Sequence, residues 1–287
     1  MHYADYKTIL SAQNGVNLYR GCTHGCIYCD SRSRCYSMDH TFEDIEVKRD
    51  ALSILEAQLA KKRRPCMVGT GSMCDPYIEL EEELSITRGC LKLLLKYGFG
   101  VSVLSKSTRI LRDLDILRAI GDSAKCVVQT TLTTFDESLC REIEPNVSTT
   151  LERVEILKAM QREKIPTIVW ISPILPFIND TEKNLRGLLG YCRETGVKGI
   201  LCFGFGVTLR EGSREHFYAC LDRRFPGMKQ KYIGQFGSAY QCDSPHSDRL
   251  MSIFRDFCDA NGILYKTRDV FAYLRKFDPD GSQLSLF

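Results

Sequence analysis

Two periods of apolar spacing take turns along this chain. Short apolar runs rich in Val, Ile and Thr are followed by longer stretches in which apolar residues recur at helical spacing. The runs predict strands at Val16–Arg20, Cys66–Gly69, Gly100–Leu104, Cys126–Leu132, Thr167–Ser172 and Gly199–Phe205. The stretches between them predict helices at Ile45–Lys62, Glu81–Tyr97, Ile110–Ile120, Leu151–Arg162 and Thr181–Thr195. Ile45, Leu52, Leu55 and Leu59 mark the apolar stripe of the first helix; Leu84, Cys90, Leu91, Leu94 and Leu95 mark that of the second. Gly98, Gly121 and Gly196 stand where three of these helices should stop, since glycine accepts the left-handed cap conformation.

Strand-then-helix alternation implies a parallel sheet covered by helices. About six such units fit into residues 1–210, and an eight-fold barrel needs two more. The expected fold is α/β, a partial (β/α)6 TIM barrel, with its active face at the carboxyl ends of the strands. After Glu211 the pattern changes. Helices are predicted at His216–Arg223 and Asp248–Asn261, a late strand at Ile263–Tyr265, and an aromatic-rich segment holds Phe271, Tyr273, Leu274 and Phe277. Residues 211–281 are expected to form a mainly helical C-terminal extension on the barrel's open side. Asp278-Pro279-Asp280-Gly281 is a turn signal that sets off a short flexible tail, 282–287.

Composition narrows the class without naming it. Of 287 residues, 44% are hydrophobic and 26% charged, an ordinary globular balance. No apolar run is long enough to span a membrane, and the first residues lack the charged and apolar regions of a signal peptide, so a cytoplasmic protein with no membrane partner is expected. The net charge of +3, from 39 basic and 36 acidic residues, does not announce a polyanionic partner. The basic run Lys61-Lys62-Arg63-Arg64 closes a helix at the wrong end of the sheet. Arg20, Arg32, Arg34 and Tyr36 are better placed for phosphate contact.

The chemistry concentrates in Cys22-Thr23-His24-Gly25-Cys26-Ile27-Tyr28-Cys29, a C-x3-C-x2-C loop behind the first strand. Three thiolates on one loop can hold three corners of a [4Fe-4S] cluster and leave one iron open, whereas full ligation takes four. Structural zinc is the rival, with Cys35, His24 or His40 as the fourth ligand. Most of the 14 cysteines, Cys90, Cys126 and Cys140 among them, read as small core residues.

The loop, the six units and the motifs at successive strand ends together resemble the radical SAM superfamily over roughly residues 14–210. The resemblance implies a [4Fe-4S] cluster held by Cys22, Cys26 and Cys29, and S-adenosylmethionine (SAM) on its open iron. It places Tyr28 against the adenine, Gly69, Thr70, Gly71 and Ser72 at the methionine amine, and Asn179 among the cofactor contacts. Asp75-Pro76-Tyr77, Ser105-Lys106-Ser107, Thr131 to Asp136, Ile143-Glu144-Pro145-Asn146 and Pro173 to Asp180 are similar to the branch around spore photoproduct lyase. That likeness implies Lys106 at the SAM carboxylate and Thr131 at the ribose. It implies Cys74 as a hydrogen-atom donor, with Tyr77 as a relay. A reductant such as flavodoxin or ferredoxin follows.

The tail Gln283-Leu284-Ser285-Leu286-Phe287 resembles the short peptide with which bacterial repair proteins bind the DNA sliding clamp, with Gln283, Leu284, Leu286 and Phe287 as anchors. The expected function is a radical SAM enzyme that abstracts hydrogen from DNA in photoproduct-lyase-like repair. The alternatives are RNA, peptide or small-molecule modification on the same scaffold, and a non-catalytic, metal-stapled module that associates with nucleic acid.

Overall fold

The computed structural model describes residues 1–277. The Asp278–Gly281 turn and the Gln283–Phe287 motif lie outside the described residues. The core is a parallel sheet of six strands in chain order: Gly15–Val16, Met67–Thr70, Gly100–Leu104, Cys126–Thr131, Thr167–Trp170 and Gly199–Leu201. Within the six-stranded sheet the first strand pairs only with the second, its Val16 also bridging Leu10, and the sixth pairs with the fifth and, through one bridge, with Leu264. The barrel is therefore partial, as the strand count predicts.

Five helical crossovers join the strands and cover the outside of the sheet. Leu55 and Leu59 of helix Ala51–Lys61, Leu91 and Leu94 of Ile86–Lys96, and Leu117 and Ile120 of Leu114–Ser123 are buried against Val101 and Val103. Each fully buried leucine contributes about 2 kcal/mol over an exposed one. Helices Thr150–Arg162 and Glu182–Glu194 cover the later strands, and Glu182–Glu194 packs in turn against Ser247–Asn261. Inside the barrel, Met67, Val127 and Ile168 stand near the amino ends of their strands and meet Val270 and Leu274 of helix Thr267–Arg275. That helix plugs the amino end. One layer higher the interior turns polar: Trp170 donates to Gln129 at 2.9 Å, and Gln129 donates to Ser102 at 2.7 Å.

Several boundaries differ from the expectation for identifiable reasons. The Ile45–Lys62 helix begins only at Ala51, because Glu46–Lys48 is a strand with Val47 fully buried, in a small sheet with His2–Ala4 and Tyr19–Arg20. Val16–Arg20 is accordingly divided between two sheets. Glu81–Tyr97 is broken at Ser85, whose φ is 51°. The cause is Glu81, fully buried, which accepts from the Thr87 amide at 3.0 Å and from Arg112 Nη2 at 2.8 Å. Ile263–Tyr265 forms a single bridge at Leu264 instead of a strand. Pattern reading missed helices Glu137–Ile143 and Met228–Phe236 and the two-stranded ribbon Gly206–Thr208 with Gln241–Asp243.

Candidate active site at the carboxyl ends of the strands

The cysteine loop leaves the small sheet at Arg20 and turns at Gly21, where φ is +85° and an added Cβ would meet Phe42 O at 2.5 Å. Only glycine fits there. The Cys22 amide donates to Phe42 O at 3.0 Å, and the Cys29 amide to Cys26 O at 3.2 Å. From outside, the Ile143–Asn146 segment clamps the loop: Ile27 N donates to Ile143 O at 3.0 Å and Asn146 Nδ2 to Thr23 O at 2.9 Å.

A cavity of about 590 Å³ opens at this end. Cys26, Tyr28, Cys29, Ser72 and Lys106 line it together with Trp170, Ser172 and Phe203. A larger space of about 970 Å³ lies at the opposite end of the sheet, among Arg118, Lys125 and Arg162, away from the thiols.

Charge at the cavity is organised around Lys106. Its Nζ is 3.5 Å from Cys26 Sγ, 2.8 Å from the Tyr28 hydroxyl and 3.1 Å from Glu144 Oε1. Glu144 also accepts from Tyr28 and from the fully buried Arg153 guanidinium. Burial opposes the ionised Glu144 carboxylate, but Arg153 and Lys106 outweigh it and bring its pKa down to about 2. Burial likewise opposes the Lys106 ammonium; Cys26, Tyr28 and Glu144 outweigh it and hold its pKa well above the ordinary lysine value. Burial pushes the Cys26 thiol up to about 12, against the pull of Lys106.

Asp75 ties three loops together. Its Oδ1 accepts from Ser105 Oγ at 2.8 Å and from Tyr77 N at 2.9 Å, and its Oδ2 accepts from Lys106 N at 2.7 Å. His24, between the first two cysteines, has Nδ1 3.5 Å from the same Oδ2.

The donor set suits an iron–sulfur cluster with one open corner: three thiols on one loop, two of them on the cavity wall beside a lysine. Gly69 leaves room beside its backbone, and Gly71 lets the chain pass tightly against the third strand. An added Cβ at Gly69 would meet nothing within 4 Å, so its backbone faces open space, and at Gly71, with φ +96°, it would strike Leu104 O at 1.9 Å. Thr70 stands between them at the end of the second strand.

The other expected residues lie elsewhere. Cys74 is buried, and hydrogen bonding to it holds Cys22 low. It lines no part of the cavity. Tyr77 is fully buried and donates to Asp113 at 3.0 Å. Thr131 is buried, with its carbonyl on Arg153 Nη1 at 2.6 Å. Asn179 braces the strand-four loop by donating to Thr133 O at 2.9 Å. None of these three lines the cavity.

The rival zinc ligands are also placed. Cys35 is exposed and takes Arg210 Nη1 at 3.3 Å, and His40 faces His2 and Glu46. Of the phosphate candidates, Arg32 pairs with Glu43, Arg34 with Glu211, Arg20 with backbone carbonyls, and Tyr36 with Asp30. Glu144, Arg153, Asp75, Trp170 and Phe203 were assigned no role from sequence. The Ile143-Glu144-Pro145-Asn146 motif and a charged residue inside an apolar helix pattern, Arg153 beside Val154, were the available signals for the buried pair.

The Radical SAM superfamily pattern matches residues 16–192. An uncharacterized protein of Mycobacterium tuberculosis is 29% identical over 226 residues, 76% of this chain and 65% of that protein. An uncharacterized protein of Methanocaldococcus jannaschii is 28% identical over 176 residues, 61% of this chain and 65% of that protein. This chain thus spans about 65% of the length of the curated relatives it matches. Among solved structures, a spore photoproduct lyase variant with bound AdoMet and dinucleoside spore photoproduct aligns with TM-score 0.60 at 12% identity, over 86% of this chain and 74% of that one. Streptococcus suis SuiB bound to precursor peptide SuiA aligns with TM-score 0.51 at 13% identity, over 92% of this chain and 48% of that one. These two likenesses show the fold. With the pattern covering more than half of its length, the chain belongs to the radical SAM superfamily, an enzyme superfamily that uses a [4Fe-4S] cluster and SAM.

Proposed function

We propose that this radical SAM enzyme acts on DNA, in the manner of a photoproduct lyase. The observation that carries the reading is the make-up of the cavity. Its lining joins thiols to a cation and also presents Phe203, 54% exposed, against Trp170 with ring centroids 5.5 Å apart. Exposed aromatic rings at a cavity mouth are stacking platforms for bases, and each stacked base is worth about 1–3 kcal/mol. Chemistry on a base requires that the base leave its stack, and an open cavity with an aromatic rim receives such a base. The solved neighbour with a bound dinucleoside photoproduct supports the same substrate class by fold alone.

In this reading Cys22, Cys26 and Cys29 hold the cluster, and Lys106 presents its ammonium to the SAM carboxylate. The group held there would supply radical abstraction of a hydrogen atom from the substrate. Glu144, itself held by Arg153, keeps Lys106 charged and fixed at the wall. Asp75 sets the loops that bear Ser105, Lys106 and the residues after Gly71. Trp170 and Phe203 orient the substrate face and help exclude water. The reading assigns return of the hydrogen atom to Cys74, the buried thiol behind the loop, which requires the Ser72–Asp75 turn to bring it to the cavity. Turnover and product distribution should change in Cys74→Ala; if both stay as in the parent, Cys74 is not the donor.

The test uses the cluster-loaded chain without oxygen, with reductant, SAM and either irradiated or intact DNA deuterated at thymine. Loss of thymine photoproduct and deuterium in 5′-deoxyadenosine, both confined to irradiated DNA, are expected. Formation of 5′-deoxyadenosine with neither photoproduct loss nor label transfer overturns the DNA reading, and a peptide, RNA or small-molecule substrate then takes its place.

A further inference from the structure

A second group of ligand-type side chains gathers on the small sheet, where the cysteine loop begins. Strand His2–Ala4 runs parallel to Glu46–Lys48 with His2 opposite Glu46, so the two side chains leave the sheet on one face. The segment from Asp39 to Asp44 brings His40 over them, and the two imidazoles meet edge to face with centroids 4.7 Å apart.

Each ring has its Nδ1 on an oxygen. His2 Nδ1 is 2.9 Å from Asp44 Oδ2, and His40 Nδ1 is 3.0 Å from the Thr41 carbonyl. Those acceptors keep the hydrogen on Nδ1 and leave the Nε2 lone pair free, the arrangement that metal-binding histidines use. Both Nε2 atoms face Glu46 Oε2, at 3.7 and 3.8 Å. These separations are too long for hydrogen bonds. Donors on a tetrahedral zinc, with bonds of about 2.1 Å, sit about 3.4 Å apart, so each histidine–carboxylate separation needs only a small side-chain rotation, while the two Nε2 atoms must also be drawn toward each other.

Burial supplies the second argument. His40 Nε2 is buried without a hydrogen-bond partner among the described residues. The Glu46 side chain is 8% exposed and the His40 side chain 12%. Orphaned buried nitrogens are rare in folded proteins because each costs about 1–3 kcal/mol. Asp39 extends the set: Asp39, His40 and Glu46 offer ligand atoms within 4.8 Å of one another, as do His2, His40 and Asp44. Arg20 and the Met1 amine are the cations nearest these carboxylates, 3.8 Å from Glu46 and 3.1 Å from Asp44.

We propose that His2 Nε2, His40 Nε2 and Glu46 form a second metal centre, for a divalent transition cation of the zinc type, with Asp39 at hand and Asp44 orienting His2. Two imidazoles and a carboxylate are nitrogen and oxygen donors of zinc-site chemistry, distinct from the all-thiol set on the neighbouring loop. The centre staples His2–Ala4 to Glu46–Lys48. Tyr19–Arg20 pairs with the same central strand and runs directly into Cys22, so the metal braces the base of the cysteine loop.

The experiment starts from the cluster-loaded chain, adds zinc, removes the excess and measures zinc content and zinc-edge X-ray absorption. About one zinc per chain is expected, with nitrogen and oxygen neighbours at about 2.0–2.1 Å, no sulfur shell and unchanged iron and sulfide. His2→Gln with His40→Gln should bring zinc to background at constant iron. Asp44→Asn, which touches no proposed ligand but His2, should weaken zinc binding about 10–100-fold. No retained zinc, a sulfur shell that places zinc on the cysteines, or full zinc content in the double variant each overturns the proposal. The absorption measurement on the parent chain decides the matter even if the variants fail to fold.

Discussion

Glu144 carries more of the site than its place just after a short helix suggests. It is fully buried between Arg153, Lys106 and Tyr28, so it anchors the cation that faces Cys26. Glu144→Gln leaves Arg153 buried without its countercharge and should cost about 3–5 kcal/mol in urea unfolding of the cluster-free chain. Its folded pKa of about 2 lies below the ordinary 4.5, so this carboxylate stabilises fully above about pH 4.5, and the contribution is lost as pH falls toward 2. The parent should therefore lose more stability across that window than Glu144→Gln. Lys106→Met removes the charge itself. It should lower 5′-deoxyadenosine formation about 10–100-fold, the worth of a charge-assisted hydrogen bond, while iron content holds. Formation at the parent rate would show that Lys106 does not meet the cofactor.

At the scale of elements, strand ends position the chemistry, and backbone crowding fixes the strand ends. Gly71 passes so close to Leu104 O that a methyl group cannot enter. Gly71→Ala should displace the Ser72–Asp75 turn from Ser105 and Lys106, cost about 2 kcal/mol or more from the left-handed φ and the clash, and abolish SAM cleavage. A fully active, equally stable Gly71→Ala would refute that account. The strands were legible because each is a short apolar run, and Gly100–Leu104 was read with both ends correct. The helices were less so. Glu46-Val47-Lys48 fits a helix stripe in sequence, yet Val47 pairs with Tyr3 and Tyr19 on neighbouring strands that no local pattern announces. Glu81 looked like one more surface acid until Thr87 and Arg112 closed on it.

Among the described residues, the partial barrel is plugged at one end and opens into the cavity at the other. Helix Thr267–Arg275 closes the amino end through Val270 and Leu274. At the carboxyl end, Phe217, Tyr232 and Cys242 from beyond residue 210 share a core with Cys26, Ile27 and Tyr28. The chain after the sixth strand thus builds one wall of the cavity, including Gly206, Thr208 and Gln241. Phe203→Ala tests what that cavity receives. It should weaken binding of irradiated DNA by about tenfold, a stacking energy of about 1–3 kcal/mol, and leave substrate-free SAM cleavage unchanged. Equal binding by parent and variant would remove Phe203 from the substrate surface.

The order of the six barrel strands, the three-thiol loop and the glycines at the second strand were legible in local sequence, because spacing and residue type act over a few positions. The tertiary structure alone decided which charges meet. Glu144 reaches Lys106 and Arg153, Asp75 reaches Ser105, and His40 reaches His2 and Glu46 across long stretches of chain. It also decided that Cys74, Tyr77, Thr131 and Asn179 line no part of the cavity. A buried charge or an orphaned nitrogen is defined by what surrounds it in space, and only packing brings those surroundings together.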